Sequence, residues 1–130
     1  MTRYVADTHA LFWYLTNSPK LGPEASRIFD ENELGTASIL VPAIVVAELY
    51  FVNEKLGRPF DFAQTLEEMN DADRFGMIPL GSEDVLDFDP DGSVPEMHDR
   101  IIVGVARRAG AICLTRDRSI VTSGRVPTLW

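Results

Sequence analysis

The sequence predicts an α/β fold with a parallel sheet. Apolar segments of strand length alternate with segments of helical period along the chain, the pattern of strand–helix–strand units whose strands run parallel. The clearest unit is 98–120, HDRIIVGVARRAGAICLTRDRSI, which reads as a helix, a one-glycine stop, a short strand and an aspartate just past the strand. No repeat, linker or low-complexity tract interrupts the alternation. Residues 1–130 therefore read as a single domain, large enough for a hydrophobic core.

The elements follow in order. Residues 3–6 form a strand ending at Asp7, and a helix runs from Thr8 or His9 to about Asn17. After the turn Asn17-Ser18-Pro19, a second helix starts at Pro23, a favourable first helical position, and closes at Gly35. Thr36 to Val41 is the second strand, and Pro42 opens a long helix ending at Gly57. Residues 61–73 place Phe62, Leu66 and Met69 on one helical face. A third strand covers 75–80 and a short helix 82–88. Residues 89–97, with two prolines, a glycine and three acids, read as a surface loop. From Asp99 a helix carries Ile101, Ile102, Val105, Ala106 and Ala109 on one apolar face, with Gly110 as C-cap. Ala111 to Leu114 has the continuous apolar run of a strand buried on both faces. A helical turn at 118–123 and a strand at 126–130 complete the chain.

Composition narrows the setting. The chain is 45% hydrophobic and 25% charged, ordinary for a globular domain. Its one cysteine, Cys113, excludes an internal disulfide and suits a core position in a reducing compartment. Asp7 and His9 interrupt any signal-peptide core, and no apolar run approaches the roughly 20 residues that span a bilayer. The expectation is a cytoplasmic protein with no membrane partner. The net charge of −8 argues at first sight against nucleic acid. Acids gathered around divalent cations would lower that working charge. Ten of the twelve basic residues are also Arg, the better bidentate phosphate binder.

The chemistry lies in four acids. A helix of about eleven residues rises roughly 16 Å, and a strand of about five residues spans roughly 17 Å. The strand after Gly110 therefore returns to where the helix began, bringing Asp99 and Asp117 to one end of the fold. Two carboxylates placed together repel unless a positive group lies between them. The pair is a candidate divalent-metal site, and equally a pair of helix N-caps. Asp7 ends the first strand and has the same two readings. Glu48 is different. It lies in PAIVVAELYFV, where every neighbour from Ala43 to Val52 is apolar. A helix apolar all round is buried, and a lone buried carboxylate is costly unless coordinated or paired. Glu48 either reaches back toward the sheet edge as a ligand or forms a salt bridge to Arg100 or Arg116. A carboxylate cluster without His or Cys suits Mg²⁺ or Mn²⁺ rather than zinc, and such ions support phosphodiester hydrolysis.

The residues also carry a resemblance. VADTHALFWYL at the first strand, AIVVAEL around Glu48 and HDRIIVGVARRAGAICLTRDRSI resemble, in order and spacing, the motifs of PIN-domain ribonucleases, specifically the VapC-type toxins of type II toxin–antitoxin systems. The resemblance covers the whole chain. It implies a PIN-like α/β/α sandwich with a central, mainly parallel sheet. It also implies a Mg²⁺- or Mn²⁺-dependent endoribonuclease, in which a metal-activated water attacks phosphorus in line and leaves a 5′-phosphate and a 3′-hydroxyl. Asp7, Asp99 and Asp117 would bind metal, and Glu48 would bind metal or orient the water. Thr115 and Thr8 would hold waters or carboxylates by hydrogen bonds. The implied partners are RNA, a second copy of the chain in a homodimer, and a cognate antitoxin that covers the groove. Two departures stand out. Val41-Pro42-Ala43 replaces a segment that often carries a small hydroxyl residue, and Arg118-Ser119 stands where some members have a further acid.

Other residues have competing roles. Arg100, Arg116 and Arg118 border the acids and could hold RNA phosphate or pair with the acids. Arg107 and Arg108 are expected on a solvated helix face. His9 and His98 flank Asp7 and Asp99, as ligands, proton carriers or bystanders. Trp13 and Trp130 could stack bases or pack. The apolar run Leu11–Leu15 either fills the core or offers part of itself to a partner. A receiver domain and an Asp-x-Asp phosphatase fit less well, because one acid, not two, follows the first strand, and the only lysines are Lys20 and Lys55. The rival from another class is a catalytically inactive PIN-like domain used for protein or RNA binding.

Overall fold

Five strands form one sheet in the order β3-β2-β1-β4-β5, every neighbouring pair parallel. The strands are β1 (Arg3–Ala6), β2 (Ser38–Pro42), β3 (Phe75–Ile78), β4 (Ile112–Leu114) and β5 (Thr128–Leu129). The helices are α1 (Thr8–Leu15), α2 (Pro23–Glu33), α3 (Ala43–Lys55), α4 (Phe62–Asp71), α5 (Ser82–Leu86), α6 (Met97–Ala109) and α7 (Arg118–Ser123). The computed structural model describes residues 1–71 and 73–130. Position 72, inside the helix expected over 61–73, lies outside the described residues. Among the described residues no helix is long and apolar enough to cross a membrane.

Strand order explains where a site can form. From β1 the chain steps to β2 and β3 on one side, then crosses back to β4 on the other. Right-handed crossovers in opposite directions put helices on both faces of the sheet. They also open a crevice at the carboxyl ends of β1 and β4, where the winding reverses. Asp7 follows β1, its amide donating to Leu114 O at 3.2 Å, and Asp117 follows β4. Both aspartates therefore stand at the reversal.

The core supports this frame. Val5, Ala6, Ile39, Val41, Cys113 and Leu114 on the central strands are buried, sandwiched by Leu11, Ile28, Phe29, Val45 and Ile102 from the helices. Cys113 is free and buried, and burial pushes its thiol well above the usual range. In the run Leu11–Leu15, Leu11 and Phe12 are buried, and Trp13, Tyr14 and Leu15 pack half-buried against the core.

Three expectations need correction. The stretch 89–97 is not simply a surface loop, since Asp91 and Val94 are fully buried. It folds over α6, and Asp91 is held by Arg107 at 3.0 Å and Arg125 at 3.1 Å. Arg107 is half-buried rather than solvated, while Arg108 is exposed as expected, and both are paired. Arg107 bonds Asp87 and Asp91, and Arg108 bonds Asp84 and Asp87, clamping α5 and the 87–94 segment to α6. The same cover explains why α6 buries every residue from Ile101 to Ala106 rather than one face. Finally, α3 is not buried all round. Val45 and Leu49 face inward, while Tyr50, Phe51 and Leu56 are exposed. An outer-layer helix buries one stripe, however apolar its other faces are.

Candidate active site

The site grows from the ends of β1 and β4. Asp7 is 7% exposed and serves as N-cap of α1, its Oδ1 accepting from Ala10 N at 2.8 Å. Its other oxygen, Oδ2, accepts from the buried Thr115 hydroxyl. The Thr115 oxygen in turn accepts from Asp117 N at 3.0 Å. One threonine thus ties the carboxylate after β1 to the backbone after β4. Burial raises the Asp7 carboxyl above its ordinary value, Asp117 adds to the rise, and the Thr115 and Ala10 bonds oppose it.

Asp117 caps α7, its Oδ1 accepting from Ser119 N at 2.9 Å and Ser119 Oγ at 2.6 Å. The same Ser119 hydroxyl lies 3.5 Å from Asp99 Oδ2 and so links the two carboxylates. Asp99 is not a cap. Helix α6 starts at Met97 with Glu96 as N-cap, whose carboxylate accepts from Asp99 N at 2.9 Å. The capping explanation therefore survives for Asp7 and Asp117 and fails for Asp99. The Asp99 carboxyl is pushed up to about 7, first by burial and then by Asp117, Glu96, Glu48 and Asp7. The other three acids singled out in the sequence all lie within electrostatic reach of Asp99.

Glu48 projects from α3 and is half-buried, with 28% of its side chain exposed. Neither Arg100 nor Arg116 pairs with it. Its Oε1 accepts from the Thr8 hydroxyl at 2.8 Å, and its Oε2 lies 3.1 Å from His98 Nδ1. That nitrogen is also 3.2 Å from Glu96 Oε1. The His98 ring thus stands between the carboxylates of Glu48 and Glu96.

The arginines separate. The Arg100 guanidinium bonds the carbonyls of Val94, Phe88 and Gly92, which commits it to the 88–94 segment rather than the acids. Arg116 is exposed and lies over the rings of Trp13 and Trp130. Arg118 is exposed at the start of α7. Arg116, Asp7, Asp117, His9, Trp13 and Trp130 line a cleft of about 270 Å³. Ser119 and Glu96 were missed in the sequence. The signal for Ser119 was present as Asp-x-Ser at a helix start, a side chain that bonds back to its cap.

The donors are all hard carboxylate oxygens, and among the described residues no salt bridge links Asp7, Asp99 or Asp117 to a basic side chain. That chemistry fits a divalent cation such as Mg²⁺ or Mn²⁺. Among the described residues no three His, Cys, Asp or Glu side chains already form a group that could hold an ion. Asp7, Asp117 and Glu48 each have oxygens engaged by protein donors instead.

The PIN domain family model matches residues 4–122. Similar folds occur in VapBC2 from Rickettsia felis bound to a DNA fragment from its promoter, with a TM-score of 0.68, 14% identity and 98% of each chain covered. VapC20 from Mycobacterium tuberculosis, described as a Sarcin-Ricin loop cleaving toxin, gives a TM-score of 0.70 at 11% identity, covering 93% of this chain and 95% of that one. A toxin–antitoxin complex from Klebsiella pneumoniae gives 0.62 at 15% identity, covering 95% and 94%. At these identities the likeness is one of fold. No curated protein matches the sequence.

Proposed function

Because the chain belongs to the PIN domain family, we propose that it is a Mg²⁺- or Mn²⁺-dependent endoribonuclease, the toxin of a toxin–antitoxin pair, that hydrolyses RNA phosphodiester bonds in the cytoplasm. The observation that carries this reading is uncompensated negative charge at the winding reversal. Asp7, Glu48, Asp99 and Asp117 converge there from four parts of the chain, and their repulsion helps hold the Asp99 carboxyl at about 7. A divalent cation would neutralise such a cluster. When bound, the ion would supply Lewis-acid stabilisation of phosphoryl charge and ready water for attack.

The residues divide the work. Asp7, Asp99 and Asp117 would hold the cation. Thr115 keeps Asp7 and the Asp117 backbone in one hydrogen-bonded unit, so both arrive together. Ser119 links Asp117 and Asp99. Glu48, oriented by Thr8 and His98, aligns the attacking water. In-line attack on phosphorus leaves a 5′-phosphate and a 3′-hydroxyl. The exposed Tyr50 and Phe51 of α3, with Leu56 just past its end, supply apolar surface of the kind that the homodimer and the antitoxin both need. Relatives in fold that include a toxin–antitoxin complex and a cleaving toxin support the same reading.

The test uses the chain purified free of partners. With Mn²⁺ or Mg²⁺ it should cleave a structured RNA, and Asp7→Asn should lose at least about a hundredfold in rate. Equal cleavage by both would remove the catalytic claim and leave a binding domain. Calorimetric titration that finds no metal binding with all four acids intact would sink the site itself.

A further inference from the structure

We propose that the cleft beside Asp7 and Asp117 is a nucleobase-stacking subsite, in which one unpaired base of the RNA lies on a platform made by Trp13, Arg116 and Trp130. This rests on the endoribonuclease reading and adds which part of the substrate lies beside the acids. The two indoles meet edge to face, with centroids 5.7 Å apart and planes at 70°. The Arg116 guanidinium lies 4.6 Å from the Trp13 centroid and 5.7 Å from that of Trp130. His9 packs its ring 5.3 Å from Trp13, and Lys20 Nζ reaches 5.9 Å from the same ring.

Packing alone does not account for this group. Both tryptophans are half-buried against the core and also line the cleft. Arg116 sits next in sequence to Asp117, yet among the described residues it makes no salt bridge and stays on the indoles. Arg27, Arg58, Arg74, Arg107, Arg108 and Arg125 are all held in ion pairs, so in a chain of net charge −8 the cations at this cleft are among the few free to meet phosphate.

The platform is also pre-placed. The Trp130 carbonyl accepts from Glu24 N at 3.3 Å, and its main chain passes so close to Gly22 that any side chain there would strike it. A cleft of about 270 Å³ is near the lower end of small-molecule pockets, about 300–1,000 Å³, which suits one planar base rather than a tract of nucleotides. A paired base has no free face to offer. The substrate segment is therefore single-stranded, looped or bulged, with its base on the aromatic–guanidinium surface and its phosphate against the Arg116 N–H edge.

The chain has two tryptophans and both line the cleft, so tryptophan fluorescence, excited at wavelengths where tyrosine does not absorb, reads this site. In EDTA, which prevents metal-dependent cleavage, oligouridylate of about eight nucleotides is titrated against an abasic ribose–phosphate chain of equal length and charge. Uridylate should quench the fluorescence and bind about tenfold tighter than the abasic chain. Arg116→Ala, at an exposed position, should weaken uridylate binding about fivefold. Trp13→Leu, checked for an unchanged melting temperature, should erase the base-dependent difference by anisotropy. Equal binding and quenching by the two chains would overturn the subsite. Metal-dependent RNA cleavage with no base-dependent quenching would do the same and leave the nuclease standing. Base-dependent quenching with no metal-dependent cleavage would keep the subsite and overturn the nuclease.

Discussion

Neutralising Asp99 should stabilise the metal-free protein while destroying its activity. Burial and four neighbouring acids raise the Asp99 carboxyl from the ordinary 3.8 to about 7. A group raised on folding adds stability that is fully present below its unfolded value, about 4, and is lost as pH rises through about 7. The full rise corresponds to about 4 kcal/mol at about 1.4 kcal/mol per tenfold. Asp99 is only half-buried, and solvent screening reduces the expected effect to about 2 kcal/mol. In EDTA, Asp99→Asn should therefore melt about 6–10 °C above the parent at about pH 8.5, and close to it at about pH 4. The difference between the two proteins cancels the titrating groups remote from Asp99 and keeps only those coupled to it. Millimolar Mn²⁺ should raise the melting temperature of the parent and leave the variant's nearly unchanged. A gap that is the same at both pH values, or a variant less stable than the parent at high pH, would refute the crowded-carboxylate account.

Two further changes probe what holds the site. Thr115→Val keeps the shape but removes the donor to Asp7 and the acceptor for Asp117 N. It should cost about 1–3 kcal/mol in urea unfolding and raise the Asp7 carboxyl further, read by NMR titration. Arg107→Ala leaves the fully buried Asp91 with Arg125 alone. The loss should be about 3 kcal/mol, the low end of the range for breaking a buried pair, with α5 and the 87–94 segment losing hydrogen-exchange protection first. A loss below about 1 kcal/mol would mean that the clamp is not what seats that segment.

Periodicity was enough to locate the elements, because hydrophobic spacing is set locally. The strands before Asp7 and after Gly110 stand within a residue or two of their expected positions, and the helix–strand return does bring Asp99 and Asp117 to one end. Ends were less legible. Helix α6 starts two residues before Asp99, because Glu96 outcompetes it for the cap. Partners of charged side chains were the least legible. Arg100, expected near the acids, is taken by three carbonyls of the 88–94 segment, and Arg107 and Arg108, expected in solvent, are taken by Asp84, Asp87 and Asp91.

By itself the sequence determined the alternation of strand and helix, the parallel sheet it forces, and the placing of Asp7 and Asp117 just past β1 and β4, because each follows from period, length and the position of a residue within one element. Only the tertiary structure decided what each acid faces: that Thr115 joins Asp7 to Asp117, that His98 and Thr8 rather than an arginine hold Glu48, and that Arg116 lies on two indoles. All but the Arg116–Trp130 and Thr115–Asp117 contacts join residues 40 to 108 positions apart. Their geometry depends on how whole elements pack, and no local spacing carries that information.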